Sequence, residues 1–278
     1  LVQLILIKRL FSFKLSKNVK VCVVEMGNQI EQTYEIMEVC LLAGKIMLQS
    51  GAETYRVEDT MMRMAAAFGI EHTHSYVTPT GIIFSAEGAE PTKTKLIRIS
   101  ERSTDLKKVS IVNSISRRIS SGEINLKEAW EQLREVDSLN VTFPFMIQVA
   151  AASLASGCFM IMFEGGWNDF IPSMISGGMG YLSFVNFHRF VPIKFFSEFL
   201  ASFVIGLLSF LFVQLGVGQQ LDKIIIGSVM SLVPGLLVTN AIRDLMAGHL
   251  VSGLSKGAEA FLTAFAIGAG IAVVLSFL

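Results

Sequence analysis

Residues 199–221 read FLASFVIGLLSFLFVQLGVGQQL, an unbroken run without a charged side chain. A helix rises ~1.5 Å per residue and the hydrocarbon core of a bilayer is ~30 Å thick, so about 20 such residues suffice to cross it. One run of this kind is equally well a buried core helix. Four more lie around it, at 138–163, 170–187, 224–242 and 260–278, joined by short connections. Five in series argue for lipid as the solvent. The charge distribution agrees. The 278-residue chain is 17% charged, with a mean hydropathy of +0.57, against roughly 25% charged in an ordinary soluble domain. Of its 23 basic and 23 acidic residues only 11 fall after Asp137. The expected fold is therefore an α-helical integral membrane protein: a small α+β domain over 31–140, then a transmembrane domain of about five helices over 141–278.

The connections set an orientation. Arg117, Arg118, Lys127 and Arg134 precede the first run, and only Glu164 and Asp169 lie between the first and second. Arg189 and Lys194 follow the second, Asp222 and Lys223 the third, and Arg243, Asp244 and Lys256 the fourth. Lys and Arg favour alternate sides, so the positive-inside rule places the N-terminal domain in the cytoplasm and the C-terminus outside a multi-pass cell membrane protein.

The fourth run carries the most unusual chemistry. Pro234 lacks a backbone donor and Gly235 loosens the helix, and Thr239, Asn240, Arg243 and Asp244 follow. A Pro-Gly pair at membrane depth is either a simple kink or a broken helix whose free carbonyls line a cavity, as in transporter binding sites. Arg243 and Asp244 are correspondingly either part of a pathway or a helix-end salt bridge. Glu198, four residues after Lys194, reads first as an interfacial ion pair and alternatively as a carboxyl that carries a proton. Small residues recur in the first, second and fifth runs (Ala150 to Gly157, Ser176 to Gly180, Ala264 to Gly270) and allow close helix packing.

The polar half predicts a helix over 31–50, with Ile36, Val39, Cys40, Ala43, Ile46 and Met47 on one face and a glycine stop at Ser50-Gly51. A second helix covers roughly 53–68. Strands are expected at 72–78, 82–86 and 95–100, with a turn at Pro79-Thr80-Gly81. Helices follow at 104–120 and 125–137, the last opened by Asn125 with Glu128 three residues on. His72 and His74 share a strand face, but two histidines alone do not make a metal site. No P-loop, GxSxG or HExxH is present, so no cofactor, metal or ATP-driven step is expected. Zero net charge argues against nucleic acid. Cys22, Cys40 and Cys158 are scattered and read as apolar fillers. The first residue is Leu1, and residues 1–30 are read as an N-terminal lead of uncertain status, with Met26 a candidate start.

Two motifs in order carry a resemblance. Ala43-Gly44, then Ser50-Gly51-Ala52-Glu53-Thr54-Tyr55-Arg56-Val57-Glu58, Phe68-Gly69 and Val77-Thr78-Pro79-Thr80-Gly81, resemble the N-terminal domain of the threonine/serine exporter family. Pro234-Gly235, Thr239-Asn240-Ala-Ile-Arg243-Asp244-Leu, Gly248 and Gly253 are similar to that family's membrane motif, and the likeness runs from about residue 31 to the end. It implies secondary export of small amino acids, or of small carboxylates in some branches, coupled to the membrane potential or proton gradient. The longest members fuse two hydrophobic halves; this chain has one. It therefore resembles the larger component of a split exporter whose other half is a short separate membrane protein, the whole forming an oligomer in the lipid bilayer.

On that resemblance the substrate site comprises Pro234, Gly235, Thr239, Asn240, Arg243 and Asp244, with Arg243 attracting a carboxylate and Asp244 or Glu198 carrying the proton. Gly51, Glu53, Thr54, Arg56, Glu58, Thr78, Pro79, Thr80 and Gly81 form a cytoplasmic motif that gates or contacts the partner. No catalytic residue is assigned. The alternatives are a regulatory or scaffold subunit without transport of its own, and a membrane-tethered hydrolase built on Glu53, Arg56, Glu58, His72 and His74.

Overall fold

A computed structural model describes residues 32–87, 92–139, 143–191 and 193–277; the N-terminal lead and Cys22 lie outside them. The described residues form two compact units. The first holds those up to 139 together with Arg243–Ser252, and the second holds the rest.

In the first unit, α1 covers 32–49 and α2 Thr54–Ala67. The antiparallel strands β1 (Thr73–Thr78), β2 (Gly81–Ala86) and β3 (Lys93–Arg98) follow in sheet order β1-β2-β3, and then α3 (Leu106–Ser120) and α4 (Leu126–Ser138). The turn at Pro79-Thr80 sets Thr78 opposite Gly81 and so fixes the register of the first hairpin. All six apolar positions expected on one face of α1 are buried. They pack with Met61 and Met64 of α2, Ile82 and Phe84 of β2, Val112 of α3 and Leu133 of α4 in one core. Cys40 sits in that core, where burial pushes its thiol up to about 12, the behaviour of an inert filler. α1 stops where Gly51 adopts φ 89° and the Ala52 N–H donates to the Met47 carbonyl at 3.0 Å, a conformation that costs glycine little.

α4 opens on a reciprocal cap. The Glu128 N–H donates to Asn125 Oδ1 at 3.0 Å, and the Asn125 N–H to Glu128 Oε2 at 2.9 Å. Losing such a cap costs about 1 kcal/mol. Asn125→Ala is therefore expected to speed hydrogen exchange of the Glu128 amide about fivefold, with distant amides in α1 unchanged.

In the second unit, α5 is Phe145–Met162, followed by a single 3-10 turn at Trp167–Asp169. Then come α6 (Phe170–Phe190), α7 (Lys194–Gln214), α8 (Leu221–Val229), α9 (Gly235–Met246, of which residues up to Ile242 belong here) and α10 (Leu250–Ser276, from Gly253). Among the described residues, three helices are long and apolar enough to cross a membrane: α5, α7 and α10, of 18, 21 and 27 residues. α6 matches α7 in length but mixes in serine, glycine, asparagine and histidine. The expected fourth span is not one continuous helix. α8 has 9 residues and α9 has 12, and the chain leaves the helix at 230–234. Neither piece alone reaches across ~30 Å. Pro234 supplies no N–H, and its ring excludes the preceding turn of an α-helix; hydropathy registers apolar content but not this interruption.

Close packing in this unit runs through small residues. A Cβ added to Gly227 of α8 would lie 2.6 Å from Met160 Cβ and 2.8 Å from the Ser156 carbonyl oxygen. The Ser173 hydroxyl donates to the Ser156 carbonyl, and the Ser228 hydroxyl to the Ser173 carbonyl, each at 3.1 Å. These bonds tie α5, α6 and α8 together, as membrane helices associate when neighbouring lipid is as apolar as they are. Asp169, buried at the end of the 3-10 turn, accepts from the Gln219 N–H at 2.6 Å and the Gln220 N–H at 3.2 Å, so the segment that leads into α8 is held by a residue far back in the chain.

Candidate functional site

Glu53 is the N-cap residue of α2, yet its side chain caps nothing. Its carboxylate turns away to two guanidinium groups, Arg243 Nη1 at 2.6 Å and Arg56 Nη1 at 3.1 Å. The vacant capping role is taken by Asp244, whose Oδ1 accepts the Thr54 N–H at 3.0 Å. Asp244 is fully buried, and its charge sits at the positive end of the helix dipole. One turn on, Glu58 Oε1 accepts the Val77 N–H at 2.7 Å and lies 3.6 Å from His249 Nδ1. The Ser252 hydroxyl donates to the Val77 carbonyl at 2.9 Å. β1 is an edge strand, and Glu58 and Ser252 satisfy its outward N–H and C=O at Val77, where an open edge would otherwise invite pairing.

Arg243 and Asp244 therefore meet the motif Glu53-Thr54-Arg56-Glu58, although 190 positions separate Arg243 from Glu53. His249 and Ser252 complete the group and were not singled out from sequence. Their signal is faint: α9 ends on Gly248 at φ 86°, which turns the chain so that His249 is the next residue. Thr78, Pro79, Thr80 and Gly81 form the β1–β2 turn, where the Thr78 hydroxyl donates to the Gly81 carbonyl at 3.3 Å and the Thr80 carbonyl accepts the Ile99 N–H at 2.9 Å. Gly51 closes α1. The other expected site residues, Pro234, Gly235, Thr239 and Asn240, belong to the second unit. There the Thr239 hydroxyl donates to the Gly235 carbonyl at 2.9 Å, and Asn240 is buried. Glu198, also of the second unit, is buried on α7 with Lys194 Nζ 4.0 Å away. Among the described residues no three His, Cys, Asp or Glu side chains converge to hold a metal.

The two carboxyls of α2 are tuned in opposite directions. Burial pushes Glu53 up, but its own backbone N–H and the Arg243 and Arg56 guanidinium groups outweigh it and hold the carboxyl below the ordinary value. Burial also pushes Glu58 up. The Val77 N–H and the His249 imidazole, when charged, oppose this only in part, the Asp244 charge adds to it, and the carboxyl ends above the ordinary value. The linkage signs follow. Glu53 contributes stability above its unfolded-state value, and loses it as pH falls through the lower folded value. Glu58 favours the fold below its unfolded-state value, and that contribution fades as pH rises through the higher folded one. Relative to the unmutated protein, Glu53→Gln is expected to unfold at lower temperature at neutral pH, with the gap closing in acid. Glu58→Gln, which keeps an acceptor for Val77, is expected to gain relative stability as pH rises. Thermal unfolding at several pH values reads both.

Residues 38–278 match the family model described as "Putative threonine/serine exporter". The chain is similar to the probable succinate transporter subunit YjjP of Escherichia coli (strain K12), 24% identical over 253 residues that cover 89% of this chain and 96% of that protein. It is similar to the probable threonine/serine exporter of Mycobacterium tuberculosis, 24% identical over 240 residues covering 84% of this chain and 44% of that one. To the threonine/serine exporter of Corynebacterium glutamicum it is 23% identical over 250 residues, 86% of this chain and 50% of that one. No solved structure gives a significant match. With a family match over most of its length and three helices fit to cross a bilayer, this membrane protein belongs to the threonine/serine exporter family.

Proposed function

We propose that the chain is the larger component of a two-part secondary exporter in the cell membrane, moving threonine, serine or a small carboxylate such as succinate out of the cytoplasm at the expense of the proton gradient. It acts as a transporter subunit and not as an enzyme. A short separate membrane subunit supplies the second hydrophobic half. Supporting a two-part exporter, the chain is similar over 96% of the length of a relative whose name makes it a transporter subunit. α6 and the α8–α9 pair join α5, α7 and α10 to make five crossings. The first unit faces the cytoplasm, as the excess of Lys and Arg on its side of the sequence suggests.

The observation that carries the mechanism is the pair Arg243–Glu53. The guanidinium is 56% exposed, whereas its carboxylate partner is 6% exposed. A substrate carboxylate can reach Arg243 from solvent and replace Glu53 there, since both bind the fork alike. Displacing Glu53 loosens the contact between the start of α2 and the Arg243–Ser252 segment, which serves as the cytoplasmic gate. Within the second unit, Pro234, Gly235, Thr239 and Asn240 bind the substrate, and the break in the helix at 230–234 offers backbone carbonyls to an ammonium or hydroxyl group.

Efflux of labelled serine, threonine and succinate from preloaded cells tests this reading. Arg243→Ala is expected to cut efflux of the true substrate by about tenfold or more. Glu53→Gln, which removes the competing carboxylate, is expected to lower the apparent KM. The scaffold reading is favoured by one fact, that Arg243 and Asp244 already have partners in Glu53 and Thr54. It requires that Arg243→Ala leave efflux intact, and that result would replace the exporter assignment.

A further inference from the structure

α7 and α10 run side by side in the same direction. Lys194 meets Glu259, Glu198 meets Thr263, Gly270 abuts Phe199 and Phe203, and Gly206 abuts Val274. At the start of this pair lie two acids and one base. Lys194 Nζ is 3.1 Å from Glu259 Oε1 and 4.0 Å from Glu198 Oε1. Exposure falls along the series, from 41% for Lys194 to 20% for Glu259 and 4% for Glu198. Glu198 Oε1 accepts from the Thr263 hydroxyl at 3.3 Å, while Oε2 is buried with no hydrogen-bond partner.

A buried carboxylate with one bare oxygen is costly, and a proton on that oxygen removes the larger part of the cost, that of the buried charge. An ionisable side chain inside a membrane bundle calls for a function in its own right. Taken without Lys256, the trio Lys194, Glu198 and Glu259 holds a net charge of −1 with both acids ionised and 0 with one protonated. Lys256 lies buried one turn before Glu259 on α10 and has an interaction of its own. α6 and α8, which also pack on α7, contribute His188, Arg189, Asp222 and Lys223. Among the described residues, no hydrogen bond or ion pair joins these four to Glu198.

We infer that Glu198 is the proton-carrying carboxyl of the bundle, that Lys194 is its switching counter-charge, and that Glu259 is the acceptor on which Lys194 rests while Glu198 is protonated. The proton adds to Glu198 Oε2, forming one O–H bond and turning carboxylate to carboxylic acid. Lys194 stays an ammonium throughout and moves from Glu198 to Glu259 as the charge on Glu198 disappears. Release on the other side reverses both changes. This deepens the export reading and rests on it for its purpose, but its test needs neither substrate nor partner.

The test is infrared difference titration of the purified full chain in lipid. The expected result is a protonated-carboxyl band that follows pH, is lost in Glu198→Gln and persists in Glu259→Gln. In Lys194→Met the same band is expected to shift to higher pH, because the cation that favours ionisation is gone. Thr263→Val, which removes only one hydroxyl contact, is expected to keep the band but displace its frequency, and so decides the matter should Glu198→Gln not fold. A band that survives Glu198→Gln, or that Thr263→Val leaves unmoved, overturns the assignment. So does a band that sodium ions abolish at constant pH, which would make the site a cation site instead. Because the titration is read without transport, its failure leaves the exporter reading standing, and a failed efflux assay leaves the titration standing.

Discussion

Gly270→Val is expected to separate α7 from α10 and to leave the second unit misassembled. A Cβ at Gly270 would overlap the Phe199 carbonyl oxygen and stand 3.0 Å from the Phe203 nitrogen, both backbone atoms that no rotamer change can move aside. Overpacking a well-packed site costs about 1–3 kcal/mol where side chains yield, and here the helix itself must shift. The expected outcome is loss of monodisperse protein on extraction in mild detergent. Gly235→Ala, at a position with open space around its Cβ, serves as the control and is expected to behave as the unmutated protein. Gly227→Val, with the Ser156 carbonyl oxygen 2.8 Å from its added Cβ, is expected to fail in the same way between α5 and α8. A stable, monodisperse Gly270→Val protein would mean that α7 and α10 do not pack as described.

Asp244→Ala is expected to loosen the start of α2. The Thr54 N–H loses its acceptor at a buried position, and a buried donor without a partner costs about 1–3 kcal/mol, on top of a lost cap and a favourable dipole charge. At ~2 kcal/mol the Thr54 amide exchanges about thirtyfold faster, while amides in α4 keep their rates. Asp244→Asn retains an acceptor oxygen and loses the charge, so its effect is expected to fall between the two. Unchanged exchange at Thr54 in Asp244→Ala would show that α2 is capped by another group. Under the gate proposed above, the same variant also weakens the closed state, because Arg243 and Asp244 are consecutive residues anchored to consecutive residues of α2.

Local rules made much of the first unit legible. The apolar face of α1, the Asn125–Glu128 cap and the turn at Pro79-Thr80 are each settled by residues within a few positions of one another, and each is found where spacing places it. The pairing of Lys194 with Glu198 is likewise an i,i+4 relation. Three features follow from no local rule. The fourth apolar run is as hydrophobic as its neighbours but is two helices, because backbone hydrogen bonding at Pro234 overrides composition. Asp169 reads as a connection charge and Asp244 as a site residue, yet Asp169 holds the segment that leads into α8 and Asp244 caps α2, roles fixed by tertiary contact alone. Arg243, which reads as a substrate residue or as half of a helix-end salt bridge, is paired with a motif glutamate far back in the chain. In each case the decisive partner lies outside any window that periodicity can see.

As proposed above, this chain exports a small carboxylate-bearing solute only with a separate membrane subunit, and with the proton gradient as the driving force. Reconstitution tests it most directly. The purified full chain is placed in liposomes with and without the short subunit, a pH gradient is imposed, and flux of labelled threonine, serine and succinate is followed. Flux of at least one of the three is expected when both components are present, lost on dissipating the gradient and lost with Arg243→Ala. Equal flux from the chain alone, or flux that persists without the gradient, would contradict it.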